Sequence, residues 1–489
     1  MIRPTLEEAK TLAKEGNYQV LPVSMELYSD FVTPIEVLRK LQNVSSHCYL
    51  LESIEDSQKW GRYTFLGYQP KLELTCKDGK TIIRNGTQIT LETKHPGEQI
   101  RQIIRENRSP HFEYLLTFTG GLVGYFSYDY IKYAEPGLHL DAEDTEGFQD
   151  VDLMLFDKVI AFDNFRQKLI LIVNAGCKEI ETEYHRAELE LESMKHLILQ
   201  GAPKEEEPGS LKTEFSQLFK ESEYCSMVEK AKSYICEGDI FQVVLSNRFE
   251  AEYEGSLLDT YRVLRTTNPS PYMFYFSSDD IEIAGASPET LVKVENGVAH
   301  TFPLAGTRPR GATQAEDEAL EKELLSDEKE LAEHNMLVDL GRNDIGKISK
   351  FGSVEVEKYM SIEQFSHVMH IGSTVKGELR KNLDAIHAID SILPAGTLSG
   401  APKIRACEII NELENNKRGI YGGAIGYIDF TGNLDTCIAI RIAYKKNGKV
   451  FIRSGAGIVA DSVPKKEYQE CINKAKAVRI ALETAQGGI

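Results

Sequence analysis

Short runs of β-forming residues, separated by turn signals, recur along the sequence and seldom alternate with helical segments in a regular βαβ order. The clearest runs lie at residues 71–76, 80–83, 168–173, 240–249, 272–276, 290–295, 423–429, 435–444 and 450–453. Strands that are not joined by crossover helices pair antiparallel. This feature predicts an α+β fold of large, mainly antiparallel sheets that are covered by helices.

A chain of 489 residues is too long for one ordinary core, so two domains are expected. The clearest break is the polar segment 201–212, GAPKEEEPGSLK, which contains two prolines and an acidic run. It divides the chain into a predicted N-terminal regulatory domain, residues 1–200, and a predicted C-terminal catalytic domain, residues 213–489. Apolar residues about a turn apart predict helices at 180–199, 225–237, 316–340 and 465–484.

Charge and cysteine content disfavour several classes of function. Acidic residues number 75 against 56 basic ones, and the net charge of −19 disfavours binding to nucleic acid or to anionic membranes. The eight cysteines form no C-x-x-C pair, which argues against a zinc site and favours a reducing cytoplasm. The charged N-terminus does not resemble a signal peptide, and no apolar run is as long as a membrane span. An anionic substrate would therefore need a local cation, a metal ion or backbone N–H groups to bind it.

Two predicted helices each carry a pair of glutamates three residues apart, Glu330 with Glu333 and Glu467 with Glu470. Residues at this spacing lie on one helix face, so the two pairs together could hold a hard divalent cation. Solvated helix faces often show the same spacing, and each pair taken alone favours a surface position. Lys474 falls on the same face as Glu467 and Glu470.

Two glycine-rich segments are candidate anion sites, 394–400 (PAGTLSG) before a helical stretch and 454–457 (SGAG) after a β-type run. Such turns allow backbone N–H groups to approach an oxyanion, although tight turns alone explain them equally well. Arg441 in a predicted strand and Tyr421 before a Gly-Gly pair could add a cation and a phenol, or could be structural. His370, in a β-type run, is by itself more typical of a structural histidine.

Several segments, in order along the chain, resemble the chorismate-utilising enzymes, and most closely the large subunits of anthranilate synthases. They are 238–242 (GDIFQ), 287–289 (SPE), 303–311 (PLAGTRPRG), 327–334 (DEKELAEH), 339–344 (DLGRND), 394–403 (PAGTLSGAPK), 453–457 (RSGAG) and 467–470 (EYQE). The resemblance covers nearly the whole chain and favours functional over surface interpretations of these residues. It implies sheets packed as a sandwich with helices outside, an Mg²⁺ cofactor, and conversion of chorismate and ammonia to anthranilate and pyruvate, the first step of tryptophan biosynthesis.

The resemblance also implies a role for each matching residue. Glu289 would act as the general acid for the departing hydroxyl, His370 would assist the elimination of pyruvate, and Thr397 would contact the ring. The Mg²⁺ ligands, some of them acting through water, would be Glu330, Glu333, Glu467 and Glu470. The substrate would be bound by Gly306, Thr307, Tyr421, Arg441, Gly455, Gly457 and Lys474.

Two positions distinguish branches of the family. Isochorismate- and salicylate-forming members carry a lysine base that activates water where this chain has Gln242, and an amide cannot act as that base. Aminodeoxychorismate-forming members commonly carry lysine where this chain has Ala305. Gln242 thus favours ammonia over water as the nucleophile, and Ala305 disfavours aminodeoxychorismate synthase, the nearest alternative. A non-catalytic binding protein that kept the fold is the alternative from another class.

The source of ammonia follows from a missing motif. No G-x-C-x-G segment of a glutaminase surrounds any of the eight cysteines. The resemblance therefore implies a heteromeric complex with a separate glutamine amidotransferase subunit, component II.

Segments 50–53 (LLES) and 268–274 (NPSPYMF) resemble the two halves of the family's feedback site for tryptophan. The residues expected to bind this inhibitor are Ser53, Pro271, Tyr272 and Met273. Ordinary strand and turn packing is the alternative, because proline, tyrosine and methionine are common there. We expect tryptophan inhibition that is transmitted between the two domains.

Overall fold

The computed structural model describes residues 2–53, 61–364 and 368–488. Within these residues the chain forms twelve α-helices: Leu6–Lys14 (α1), Pro34–Gln42 (α2), Gly97–Glu106 (α3), Ile131–Ala134 (α4), Ile180–Gln200 (α5), Glu221–Glu237 (α6), Leu258–Thr267 (α7), Gln314–Leu324 (α8), Glu328–Ile348 (α9), Ala385–Ile392 (α10), Lys403–Glu414 (α11) and Pro464–Thr484 (α12). Two short 3₁₀ helices lie at Tyr128–Tyr130 and Gly396–Leu398. Among the helices that the structure describes, none has the length and apolar content of a membrane-spanning segment.

The described residues also form twenty-six strands, most of them short. In chain order they are Ile2–Arg3 (β1), Val20–Tyr28 (β2), Cys48–Glu52 (β3), Tyr63–Tyr68 (β4), Leu72–Lys77 (β5), Lys80–Asn85 (β6), Thr87–Glu92 (β7), Gly121–Phe126 (β8), Val151–Phe156 (β9), Lys158–Asp163 (β10), Lys168–Gly176 (β11), Ser210–Leu211 (β12), Ser216–Gln217 (β13), Gln242–Glu254 (β14), Tyr272–Ser277 (β15), Glu282–Ser287 (β16), Thr290–Glu295 (β17), Val298–Thr301 (β18), Leu304–Pro309 (β19), Glu355–Gln364 (β20), Val368–Glu378 (β21), Gly400–Ala401 (β22), Ala424–Asp429 (β23), Leu434–Ile438 (β24), Ile442–Lys446 (β25) and Lys449–Ile458 (β26).

The strands build two large sheets, and their pairs run antiparallel. The first sheet has 14 strands in the order β1-β2-β11-β10-β4-β3-β15-β16-β25-β26-β14-β12, with β13 and β22 paired to β14. The second has 12 strands in the order β19-β21-β18-β17-β24-β23-β8-β9-β5-β6-β7, with β20 paired to β21. The predicted antiparallel α+β fold is confirmed.

The two sheets face each other across an aromatic core, as in a sandwich. Tyr49 of β3, in the first sheet, meets Phe156 of β9, in the second, with ring centroids 4.7 Å apart. Phe274 of β15 and Ile425 of β23 are buried in the same cluster. Helices pack on the outer faces: α2, α5, α7 and α12 contribute to the core of the first sheet, and α3, α9 and α10 to that of the second.

Each sheet combines strands from both sides of the segment 201–212. In the first sheet the two halves meet where β3 pairs with β15, and in the second where β8 pairs with β23. The division into two domains stays a prediction, because the sheets themselves cross it.

The prediction of one continuous helix over 316–340 is wrong, because the structure divides this stretch into α8 and α9. Asp327 lies between them and caps α9, since its Oδ1 accepts hydrogen bonds from the backbone N–H groups of Lys329 (3.1 Å) and Glu330 (3.3 Å). The cap fixes where α9 begins, and therefore the direction in which Glu330 and Glu333 point.

Two further predictions of local structure are corrected. The predicted strand 435–444 is two strands, β24 and β25, and Arg441 lies between them with φ of +53° rather than within a strand. The segment 454–457, predicted as a turn, is part of the extended strand β26. Its glycines serve close packing in a sheet rather than chain reversal.

Candidate functional site

A cleft of about 650 Å³ opens between the N-terminal ends of α9 and α12, the paired strands β14 and β26, and the strands β19 and β21. The fourteen residues that the sequence analysis expects in catalysis, metal binding and substrate binding all line this cleft. They are Glu289, Gly306, Thr307, Glu330, Glu333, His370, Thr397, Tyr421, Arg441, Gly455, Gly457, Glu467, Glu470 and Lys474. The structure therefore brings together residues that are nearly 200 positions apart, although their individual roles remain proposals.

The two glutamate pairs face the cleft from α9 and α12. Burial is the largest cause that raises the pKa of Glu333, and the negative charge of Glu330 is the second. The charge of Glu470 on the other helix raises this pKa further. Burial also raises the pKa of Glu467, with a further contribution from Glu470. The carboxylates thus repel one another across the cleft, and a cation between them would relieve this repulsion.

The donor chemistry of these carboxylates fits a hard divalent cation such as Mg²⁺. Within the described ranges, no three acidic, histidine or cysteine side chains converge as a ready-made ligand shell. Mg²⁺ needs only one or two protein carboxylates, because water and substrate oxygens complete its six ligands. Glu470 also forms an ion pair with Lys474 (2.7 Å), and Glu330 forms one with Arg308 (3.5 Å). Each of the two glutamate pairs therefore has one positively charged neighbour that offsets part of its negative charge.

Glu289 lies between β16 and β17 and is held from two sides. Its backbone oxygen accepts a hydrogen bond from Ile438 N–H (2.9 Å), and its side-chain Oε1 accepts one from the Thr397 hydroxyl (3.0 Å). Burial raises the pKa of Glu289 to about 7, against the opposing effects of Thr397, Lys474 and Arg441. A carboxyl group with this pKa is protonated in an appreciable fraction near neutral pH and can donate a proton.

His370 on β21 is oriented by the neighbouring strand β19. Its Nδ1 lies 2.8 Å from the backbone oxygen of Gly306 and 3.1 Å from the Thr307 hydroxyl. A bond from Nδ1–H to this carbonyl selects the tautomer in which Nε2 is the acceptor nitrogen. Burial lowers the pKa of His370, so the ring is neutral and suited to accept a proton. Gly306 has φ of +64°, a conformation that favours glycine.

Arg441, Tyr421 and two glycines form the opposite wall of the cleft. The backbone approaches closely there, because a Cβ added at Gly455 would lie 3.1 Å from the Tyr421 hydroxyl and 2.7 Å from a backbone oxygen. One added at Gly457 would lie 2.6 Å from the side-chain nitrogen of Gln242. Lys474 Nζ donates to the Gly455 oxygen (3.1 Å). This wall offers two cations, a phenol and the peptide groups of two glycines to an anion.

Both positions that distinguish branches of the family lie in the cleft. Gln242 begins β14, and its side-chain oxygen is buried with no hydrogen-bond partner among the described residues. Ala305 on β19 is buried and presents only a methyl group. At these two positions the cleft therefore carries an amide and a methyl group rather than the amine of a lysine.

The residues predicted to bind the inhibitor tryptophan come together because β3 pairs with β15. Glu52 lies opposite Met273, which places Ser53, the residue after β3, beside the segment that contains Pro271 and Tyr272. The Tyr272 hydroxyl donates to Asp435 Oδ1 (2.8 Å) and lies 3.0 Å from the hydroxyl of Thr290, the residue after Glu289. This segment is therefore in hydrogen-bond contact with Thr290, the residue directly after the candidate general acid Glu289.

One buried group at the cleft, Arg453, is not among the site residues that the sequence predicts. It lines the cleft, is 2% exposed and is bonded to Glu414, which is also bonded to Arg418. Arg453 begins the motif RSGAG, so its position was visible in the sequence. Its burial and its partners, nearly 40 residues away, were not.

Comparison with known proteins places the whole chain among enzymes that bind chorismate. Residues 46–479 match the family model described as chorismate binding enzyme. Anthranilate synthase component 1 of Acetivibrio thermocellus is 49% identical over 99% of both chains, and that of Aquifex aeolicus is 47% identical over 99% of this chain and 98% of its own. The crystal structure of anthranilate synthase component I from Streptococcus pneumoniae is 42% identical, with a TM-score of 0.76 over 87% of this chain and 93% of its own. The menaquinone-specific isochorismate synthase of Escherichia coli is 18% identical, with a TM-score of 0.70 over 98% of this chain and 99% of its own, and shows the shared fold alone.

Proposed function

Because the chain belongs to the chorismate-binding enzyme family, among the anthranilate synthase component 1 proteins, we propose that its cleft converts chorismate and ammonia to anthranilate, pyruvate and water. This lyase reaction is the first step of tryptophan biosynthesis. The single observation that carries the proposal is one cleft that combines the protonatable Glu289, a carboxylate cluster and an anion-binding wall. The eight free thiols support action in the reducing cytoplasm.

The reaction has two stages, and each uses a different wall of the cleft. In the first, the ammonia lone pair attacks the ring, the bond to the ring hydroxyl breaks, and Glu289 gives that hydroxyl its proton so that it leaves as water. In the second, a ring proton is removed and the ring–oxygen bond of the enolpyruvyl group breaks, which releases pyruvate and leaves an aromatic ring. The neutral His370, oriented by Gly306 and Thr307, assists this proton removal.

The charges of the cleft match a substrate with two carboxylates. Tyr421, Arg441, Lys474 and the peptide groups of Gly455 and Gly457 hold these carboxylates and exclude water from them. The carboxylates of Glu330, Glu333, Glu467 and Glu470 would hold Mg²⁺, directly or through water. When bound there, Mg²⁺ supplies positive charge against the ring carboxylate.

Product identity tests the proposal against the other branches of the family. Purified protein is mixed with chorismate, Mg²⁺ and ammonium, and the products are separated by mass. Anthranilate supports the proposal. An aminated product that keeps the pyruvyl group would favour aminodeoxychorismate synthase, and a hydroxylated product would favour isochorismate synthase.

Glutamine becomes a nitrogen source only when a partner supplies a glutaminase. The chain has no glutaminase cysteine motif, so we expect a heteromeric complex with a glutamine amidotransferase subunit. The purified chain should turn over with ammonium but not with glutamine, and adding the partner subunit should confer glutamine-dependent turnover. The partner with its nucleophilic cysteine replaced is the control. Glutamine-dependent turnover by the chain alone would contradict this.

Tryptophan inhibition is expected to depend on Ser53. We predict that Ser53→Ala raises the tryptophan concentration needed for half inhibition by about tenfold, as expected when about 1.4 kcal/mol of polar contact is lost. The rate of each protein with tryptophan is divided by its own rate without tryptophan. The matched control is Ser233→Ala, which changes an exposed serine on α6. Equal inhibition of Ser53→Ala and the parent protein would rule out this site.

A further inference from the structure

Two arginines and a glutamate form a buried cluster at the floor of the cleft. The cluster consists of Glu414 at the end of α11, Arg418 after it, and Arg453 on β26. Their side chains are 0 to 1% exposed. Burying charged groups costs several kcal/mol per ion unless close partners compensate, so such a cluster needs specific contacts to exist at all.

Arg418 contacts two separate parts of the cleft floor. One guanidinium nitrogen donates to the backbone oxygen of Leu398 (2.6 Å), which directly follows Thr397. Another donates to the backbone oxygen of Val244 (2.7 Å), the residue of β14 that pairs with Gly457. The guanidinium group thereby joins the segment that holds Glu289 to the strand pair that forms the anion-binding wall.

Glu414 and Arg453 hold this guanidinium group in place. Glu414 accepts hydrogen bonds from Arg418 (2.5 Å and 3.0 Å) and from Arg453 (2.8 Å), and also from the Ser246 N–H (2.7 Å). Arg453 in turn donates to the Ser246 hydroxyl (2.8 Å) and to the Asn416 side-chain oxygen (2.9 Å). Ser246 lies opposite Gly455 in the strand pair, so the cluster is bonded to the backbone beneath both glycines of the wall.

The cluster also has a surplus of positive charge. Two guanidinium groups and one carboxylate leave one net positive charge, which lies where almost no water can screen it. Arg418 lies 5.9 Å from the ring centroid of Tyr421, whose hydroxyl faces Gly455. A buried charge at this distance favours an anion in the cleft more strongly than the same charge at the surface.

We propose that Arg418 is a positioning residue for the reaction. It holds the segment that contains Thr397 in the position from which Thr397 orients Glu289. The single carboxylate of Glu414 cannot neutralise both Arg418 and Arg453, and the remaining positive charge attracts the substrate carboxylates to the wall. The inference rests on the proposed function. It assigns to Arg418 two separable effects, one of geometry on the proton-transfer step and one of charge on substrate binding.

Two substitutions at Arg418 separate these effects. Arg418→Lys keeps the charge but lacks the planar fork that reaches Leu398, Val244 and Glu414 together, so kcat should fall about 30-fold while the KM for chorismate stays within about threefold. Arg418→Met removes the charge as well, so the KM should also rise more than tenfold. Arg479→Lys, an exposed arginine on α12, is the matched control.

A merely structural arginine would give a different result. In that case both Arg418 variants would melt at lower temperature, yet the folded protein would keep the parent kcat, KM and pH profile, and the inference would be wrong. If neither variant folds, Glu414→Gln provides the test: it releases the guanidinium group and increases the surplus charge, so kcat should fall while KM does not rise. Unchanged kcat in Glu414→Gln would also contradict the inference. Failure of the proposed function is distinguishable, because the parent protein would then form no anthranilate.

Discussion

Replacing Glu289 with glutamine lowers kcat for anthranilate formation by about 10³-fold, within the usual contribution of a general acid. The amide keeps the shape of the side chain and can still bond to Thr397, but it has no acidic proton for the departing hydroxyl. Gln88→Glu, on the exposed strand β7, is a charge-altering control remote from the cleft, and it should leave kcat unchanged. A kcat within threefold of the parent for Glu289→Gln would remove Glu289 from the mechanism.

The same carboxyl group predicts a pH dependence. Glu289 donates only while it is protonated, and burial raises its pKa to about 7. At a fixed concentration of free ammonia, kcat/KM for chorismate should therefore fall as the pH rises through about 7, and this descending limb should be missing in Glu289→Gln. Because burial raises the pKa of the folded group from 4.5 to about 7, stability falls as the pH rises across this interval, so the glutamine variant should melt above the parent at pH of about 8. A limb that persists in the variant would have to come from another group.

The second large effect is expected from the carboxylates on α9 and α12. Glu333→Gln and Glu470→Gln should each raise the Mg²⁺ concentration needed for half-maximal turnover by about 10²-fold, because each removes a negative oxygen that faces the other helix. Glu328→Gln, an exposed residue at the start of α9, is the matched control. Titration of turnover with Mg²⁺ after removal of metal by a chelator gives the measurement.

The Mg²⁺ titration can also contradict the assignment of the carboxylate cluster as the metal site. Without metal, Glu470→Gln should also lower the pKa of Glu333 and of Glu467, since the charge of Glu470 raises both. If the two variants respond to Mg²⁺ as the parent does, the cluster is not the metal site. Turnover that survives complete chelation would contradict the role of Mg²⁺ altogether.

Local sequence patterns predict whether a segment is a helix or a strand better than they predict the residues at which it begins and ends. The strand 290–295 and the end of α6 before Gly238 were predicted correctly, because alternation and a left-handed glycine cap are local signals. The break between α8 and α9 was missed, because acidic and apolar residues continue across it and only the side chain of Asp327 marks the cap. The sequence predicts Arg441 within a strand, because a positive φ in a non-glycine residue has no sequence signal.

The members of the candidate site could be named from resemblance to a family but not from local pattern alone. Glutamates three apart in a helix are common on surfaces, and only the packing of α9 against the cleft opposite α12 brings Glu333 into the field of Glu470. The pairing of β3 with β15, which brings Ser53 to Met273 across more than 200 residues, depends on a long-range register that the sequence does not display. Arg418 was missed for the same reason, since a charged residue is expected at the surface unless its partners are known.

The most direct test of the central claim is the stoichiometry of products from the parent protein with chorismate, ammonium and Mg²⁺. Anthranilate fluorescence and released pyruvate are followed in the same sample, with and without a chelator. The account predicts equal amounts of anthranilate and pyruvate, formed only when Mg²⁺ is present. Consumption of chorismate without anthranilate, or no consumption under any of these conditions, would contradict it.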